Sequence, residues 1–159
     1  MSKDVKVRKV AGGVVINLDG KVVLVKTNKS HWVFPKGGIE KGESGPQAAE
    51  REIQEEAGID ESDLEFKEEL GSYERPDMGS KDEIQQIIMF LFSASSEYLK
   101  TKRDKQSLKA KWVELDKVKE MLSAKGDKEF FETIREKVRE AILEYKREYE
   151  NDFSEIKLR

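Results

Sequence analysis

Residues 37–59 read GGIEKGESGPQAAEREIQEEAGI, and this stretch decides the fold. Ser44 is followed three residues later by Gln47, a capping-box pair, and Pro46 falls in the first turn, where a missing N–H costs nothing. A helix is therefore expected from just after Ser44, running to Ala57 and stopping at Gly58, the residue type best suited to a left-handed C-cap. Gly37 and Gly38 precede it in a turn that permits close backbone approach.

Within that helix Glu52, Glu55 and Glu56 stand at i, i+3 and i+4 and project from one face. At about 4 Å a like-charge pair costs roughly 1 kcal/mol in water and about 4 kcal/mol at a surface-like dielectric, so the cluster calls for a counter-charge. A solvated acidic face is what a charge run of this kind usually amounts to, and a bound divalent cation is the functional alternative. Glu43, just ahead of the helix, is placed to reach Arg51 and tie the loop down, while Ile53 lies on the opposite face and is expected to anchor the helix to a sheet.

Outward from this element the chain alternates strand and helix signals. Lys6 to Val10 and Gly13 to Ile16, the turn pair Asp19-Gly20, and Lys21 to Lys26 predict a hairpin. Trp32 to Phe34 is a short apolar stretch broken by Pro35. Strands are expected at Leu64 to Ser72, Gln85 to Ser93 and Lys111 to Glu114, with a short helix over Asp116 to Ser123 and a long one over Lys128 to Tyr149. Apolar residues from Phe130 to Tyr149 recur at helical spacing, so the first half of that last helix should pack on the domain.

The spacing of Gly37, Glu43, Arg51-Glu52-Ile53, Glu55-Glu56 and Gly58-Ile59 resembles the Nudix box, Gly-x5-Glu-x7-Arg-Glu-U-x-Glu-Glu-x-Gly-U with U aliphatic, at every fixed position. The resemblance implies an α/β fold, the Nudix α/β/α sandwich with a mixed β-sheet and a long C-terminal helix, in which Mg2+ or Mn2+ assists hydrolysis of a phosphoanhydride. Carried over by position, Glu52 and Glu56 are the principal metal ligands, Glu55 an additional one, and Gly37 offers its carbonyl; Glu43, Arg51 and Gly58 are structural. The general base stays open among Glu52, Glu55 and a carboxylate outside the box. Asp104 falls in a loop where relatives often carry such a group.

Three further stretches, AGGVVINLDGKVVLVKT, WVFPKGGIEKGE and KGDKEFFETI, resemble the bacterial asymmetrical diadenosine tetraphosphate hydrolases. That likeness implies cleavage to ATP and AMP, Lys36 binding phosphate and Tyr73 stacking on adenine. The competing classes are a diphosphoinositol polyphosphate hydrolase using Lys9, Lys36 and Lys81, an ADP-ribose hydrolase, and a non-catalytic nucleotide sensor, although sensors usually lack box carboxylates that are all present here. His31 reads as a loop residue at the rim and Trp112 as a strand residue.

The bulk composition agrees with one domain. The 159 residues are 40% charged and 36% hydrophobic with a formal net charge of −3, so no general polyanion-binding surface is expected, nor a nucleic-acid partner. There is no cysteine and one histidine, which leaves oxygen donors and hence a hard cation. No apolar run approaches the roughly 20 residues of a membrane helix, and a cytoplasmic protein acting on a small-molecule nucleotide is expected. Residues 1–145 are expected to form the catalytic domain and 146–159 a helical extension, a candidate homodimer surface.

Overall fold

The computed structural model describes residues 4–97, 99 and 109–158. Strand β1 (Lys6–Ile16) is the centre of the molecule, because its residues are buried alternately on two faces and its hydrogen-bonding edges are both used. Along one edge it pairs in parallel with β6 (Glu83–Ala94), from Lys6 against Glu83 to Ile16 against Ser93. On the other edge β4 (Lys36–Gly38) pairs antiparallel with Val10 to Gly12, and Ile16 meets Val22 of β2 (Lys21–Lys26).

Among the described residues the sheet has seven strands in the order β3-β2-β1-β6-β5, with β3 spanning Trp32–Val33 and β5 spanning Leu64–Pro76; β4 joins it on β1, and β7 (Lys109–Glu114) on β2. Parallel and antiparallel pairs coexist, so the sheet is mixed. A strand buried on both faces should read as a near-continuous apolar run, as Val14-Val15-Ile16 and Ile87 to Phe92 do. Side chains of Val10, Val14, Ile16, Ile87, Met89 and Leu91 point into one core, closed by α2 (Leu115–Met121) and α3 (Lys125–Leu158). Ala11, Val15, Phe90 and Phe92 point into the other, closed by α1 (Gly45–Ala57). The architecture is thus the expected α/β/α sandwich. No described helix is long and apolar enough to cross a membrane.

Several boundaries differ from those read in sequence. β5 continues four residues past Ser72 to Pro76 because β6 offers partners as far as Ile84, and shifts in register near Lys67 and Leu70 accommodate the polar run. The Asn17 side chain accepts from the amides of Asp19 and Lys21, closing the β1–β2 turn. The last helix is longer than its apolar stripe, starting at Lys125 and passing position 145 without a break. Within it Phe131, Ile134, Val138 and Ile142 are buried, and Tyr145 donates from its hydroxyl to the Ala94 carbonyl at 3.1 Å.

Candidate active site

The box forms a loop and helix held by one arginine. Ser44 caps α1: its side chain accepts from the Gln47 amide at 3.2 Å, and the Gln47 side chain accepts from the Ser44 amide at 2.9 Å. Gly58 ends the helix at φ 70°, ψ 27°, a left-handed conformation costly for a residue with a Cβ. Ala48, Ala49, Ile53 and Ala57 are buried against the sheet.

On the far side Arg51 donates from Nε and Nη2 to both oxygens of Glu43, at 2.8 and 2.9 Å, and from Nη2 to the Gly38 carbonyl at 3.0 Å. A bidentate pair of this kind fixes direction as well as distance. Nη1 donates to Glu52 Oε1 at 2.7 Å and lies 3.7 Å from Glu55 Oε1. The hydrogen bonds from Arg51 and from the Glu40 amide hold the Glu43 carboxyl down at about 2, and the same contact with Glu43 raises the guanidinium further above its ordinary value.

Glu52 is the most enclosed of the α1 carboxylates, with 8% of its side chain exposed. It lies directly against Gly37: a Cβ there would stand 2.3 Å from its carboxyl carbon. Gly38 is covered in the same way by Arg8, whose Nη2 would lie 2.8 Å from an added Cβ. Arg8, Glu40, Arg51, Glu52 and Glu55 line an open cleft of about 570 Å³ beside these glycines.

Carboxylate oxygens and a backbone carbonyl suit a hard divalent cation, and Gly37 and Glu52 already touch. As the side chains stand, Glu52 faces Arg51, and among the described residues no three His, Cys, Asp or Glu side chains converge to hold an ion. The residues fit a cation in donor type and in shared position, with Arg51 supplying the counter-charge to Glu52 in this arrangement.

Lys36, one residue before Gly37 on β4, is half-buried. Desolvation lowers its pKa from the ordinary lysine value, the Arg75 charge adds to this, and Asp127, Glu56 and Asp77 oppose it. Lys36 thus feels the charge of Glu56 on α1 and of a second set that includes Arg75 and Asp127. Tyr73 belongs to that set. Its ring stacks on Phe130 with centroids 4.4 Å apart, and its hydroxyl donates to Asp127 Oδ1 at 2.5 Å. Burial and the Asp127 charge push its pKa up. One face of the ring is thus taken by protein, and a base could stack only on the other.

Sequence reading did not single out Arg8, Arg75 or Asp127. Arg75 could have been found, since it lies two residues after Tyr73 on a strand and so shares its face, and Asp127 lies inside the quoted KGDKEFFETI. Nothing local distinguishes Arg8. The His31 loop is closed by backbone bonds with Thr27, and Trp112 lies on β7 with its indole N–H donating to the Glu97 carbonyl. Asp104 lies outside the described residues.

The fold and the box together define a class. A NUDIX domain model matches residues 6–134, most of the chain, and the chain belongs to the Nudix family of hydrolases. Among individual relatives, an RNA pyrophosphohydrolase of Pelagibacter ubique is 32% identical over 146 residues, covering 82% of this chain and 90% of that one. An asymmetrical bis(5'-nucleosyl)-tetraphosphatase of Sus scrofa is 32% identical over 104 residues, 62% of this chain and 65% of that one. In three dimensions the chain is similar to a C. elegans Ap4A hydrolase in a binary complex, with a TM-score of 0.66, 23% identity, and coverage of 86% and 97%. The chain is accordingly a Nudix pyrophosphohydrolase, of a family whose members generally use a divalent metal and act on nucleotides.

Proposed function

We propose that this protein hydrolyses a nucleoside polyphosphate in the presence of Mg2+ or Mn2+, cleaving diadenosine tetraphosphate to ATP and AMP. The observation that carries the reading is Lys36, one residue before Gly37 on β4, on which the charges of Glu56, Arg75 and Asp127 all act. A cation there binds phosphates beyond those next to the helix, so a long phosphate chain is favoured over the two phosphates of ADP-ribose. The pig relative supports the same substrate.

In this reading Glu52, Glu55, Glu56 and the Gly37 carbonyl hold the metal. When bound, the cation neutralises phosphate charge and makes water more acidic. Arg51 and Glu43 keep the loop in register, Lys36 binds the polyphosphate, and Glu52, Glu55 or a carboxylate outside the box takes the proton from the attacking water. Tyr73 would offer a base the ring face that Phe130 does not cover. The protein acts in the cytoplasm, with residues 1–145 as the catalytic unit and 146–159 as an extension whose exposed Tyr149 and Phe153 suit association with a second copy.

A second reading takes a 5'-triphosphorylated RNA end as substrate. The Pelagibacter relative favours it. Only the terminal phosphates need enter the site, so the net charge of −3 does not oppose it. The deciding experiment supplies Mg2+ with diadenosine tetraphosphate, a triphosphorylated oligonucleotide, inositol pyrophosphates, nucleoside triphosphates and ADP-ribose, and separates the products. ATP with AMP is expected. ADP alone, or at least a tenfold preference for another substrate, would overturn the assignment; tenfold is about 1.4 kcal/mol of transition-state binding.

A further inference from the structure

The two consecutive glycines of β4 each admit one charged side chain. A Cβ on Gly37 would meet the Glu52 carboxylate, whereas a Cβ on Gly38 would meet Arg8, with Nη2 at 2.8 Å, Nε at 3.2 Å and Cζ at 3.4 Å. With three of its atoms so close, the guanidinium lies along Gly38 and does not touch it by its tip alone. Arg8 enters from β1, where the exposed stretch Lys6 to Lys9 precedes the buried run that starts at Val10, and Val10 is the register partner of Gly38. The seat on Gly38 thus brings to the box a cation from a distant part of the chain.

An arginine on an exposed strand end is ordinarily a solvated surface residue. Its surroundings argue otherwise here. Arg8 lines the same cleft, of about 570 Å³, as Glu40, Arg51, Glu52 and Glu55. Arg51 is committed within it, since its donors go to both oxygens of Glu43, to the Gly38 carbonyl and to Glu52. Among the described residues Arg8 has no ion pair, so its N–H fork remains for a ligand of this cleft. That fork matches two oxygens of a phosphate, and its charge offsets the glutamates that would otherwise repel an anion. Lys36 stands on the same face of β4 as Gly38, because strand residues alternate, and two residues span roughly 7 Å. A phosphate chain running along β4 from Lys36 meets the Arg8 guanidinium next.

We propose that Arg8, seated on Gly38, is a phosphate-binding residue of this site and holds the part of an oligophosphate chain that lies beyond the metal-bound phosphates. The proposal rests on the polyphosphate reading above and adds to Lys36 a second cation that senses chain length. A chain of three or four phosphates held at the carboxylates reaches it, and a diphosphate held there is too short. Gly38 is then a glycine because any larger residue would take the place of the guanidinium.

The test is calorimetric binding of inorganic tripolyphosphate and of inorganic pyrophosphate at one fixed Mg2+ concentration, together with KM and kcat for diadenosine tetraphosphate. Arg8→Met is expected to weaken tripolyphosphate binding and raise KM by about tenfold, as loss of a charged hydrogen bond does, with pyrophosphate binding and kcat changed less than about threefold. Arg8→Lys keeps the charge without the fork and should fall between Arg8→Met and wild type. Gly38→Ala puts a methyl 2.8 Å from Nη2 at a residue without a positive φ, so it should unseat the guanidinium with little strain in the backbone. It is expected to weaken tripolyphosphate binding by at least about threefold, and to add less than about twofold to Arg8→Met. Unchanged tripolyphosphate binding in Arg8→Met, equal losses for both probes, or a Gly38→Ala effect of the same size in both backgrounds overturns the proposal, as does a wild type that binds no tripolyphosphate. If the pattern holds and none of the nucleotides is hydrolysed, the substrate proposal fails and the Arg8 subsite stands; if diadenosine tetraphosphate is hydrolysed with a KM that Arg8→Met leaves unchanged, the reverse holds.

Discussion

Gly37→Ala separates a site built on close contact from a merely acidic helix. The added methyl would sit 2.3 Å from the Glu52 carboxyl carbon, where ordinary contact begins near 3.4 Å, so the carboxylate must move by about 1 Å. The backbone has no reason to resist, because Gly37 is not among the positive-φ glycines. Glu52 has somewhere to go, since its side chain borders the open cleft beside Glu40 and Glu55. The cost therefore falls on the position of one proposed metal ligand. Displacement of a reacting group by about 1 Å is worth on the order of 100-fold in rate. Expected results are a loss of roughly that size in kcat/KM, weaker Mn2+ binding by titration calorimetry, and a melting temperature within a few degrees of wild type. Wild-type Mn2+ affinity and turnover in a folded Gly37→Ala protein would refute the idea that the Gly37–Glu52 contact builds the site.

Chelation with EDTA should abolish hydrolysis and Mg2+ restore it, and Glu56→Gln should lower turnover by several orders of magnitude with an unchanged circular dichroism spectrum; activity in chelator would remove the metal from the mechanism. Because its folded pKa, about 2, lies below the ordinary 4.5, Glu43 contributes stability that is complete above about pH 4.5 and lost as pH falls through 2. Glu43→Gln should accordingly flatten the acid limb of the stability curve in that window, and identical limbs would show that the Arg51 contact does not hold in solution. Deleting residues from Lys146 onward should spare catalysis, whereas deletion that includes Tyr145 should cost roughly 1 kcal/mol more through its bond to Ala94, read by urea denaturation. Equal stability of the two truncations would mean that bond contributes nothing.

Local sequence determined the helix that carries the site. Ser44, Gln47, Pro46 and Gly58 each act through bonds or torsions within a few residues, so capping and termination could be read without knowing the neighbours. The helical period fixed which side Glu52, Glu55 and Glu56 share and which side Ile53 buries, and the resemblance to the Nudix box then attached a chemistry to that face. The link from Glu43 to Arg51 was also legible, since eight residues of loop and helix leave few other ways for the two charges to meet.

Only the tertiary structure decided what stands around that helix. β1 pairs with β6 more than seventy residues away, and this parallel ladder, not the β1–β2 turn, sets the centre of the sheet. The antiparallel pairing of β5 with β6 extends β5 past Ser72 and carries Tyr73 and Arg75, which bond Asp127 more than fifty residues further on. Tyr73 read in isolation is an aromatic free to meet a base; in the fold it also stacks on Phe130 and donates to a buried carboxylate. Periodicity reports which face a residue occupies and capping reports where a helix begins. Neither reports which distant strand will satisfy an edge, because that depends on closing long loops around two cores at once, and it was that closure that brought Tyr73, Arg75 and Asp127 together.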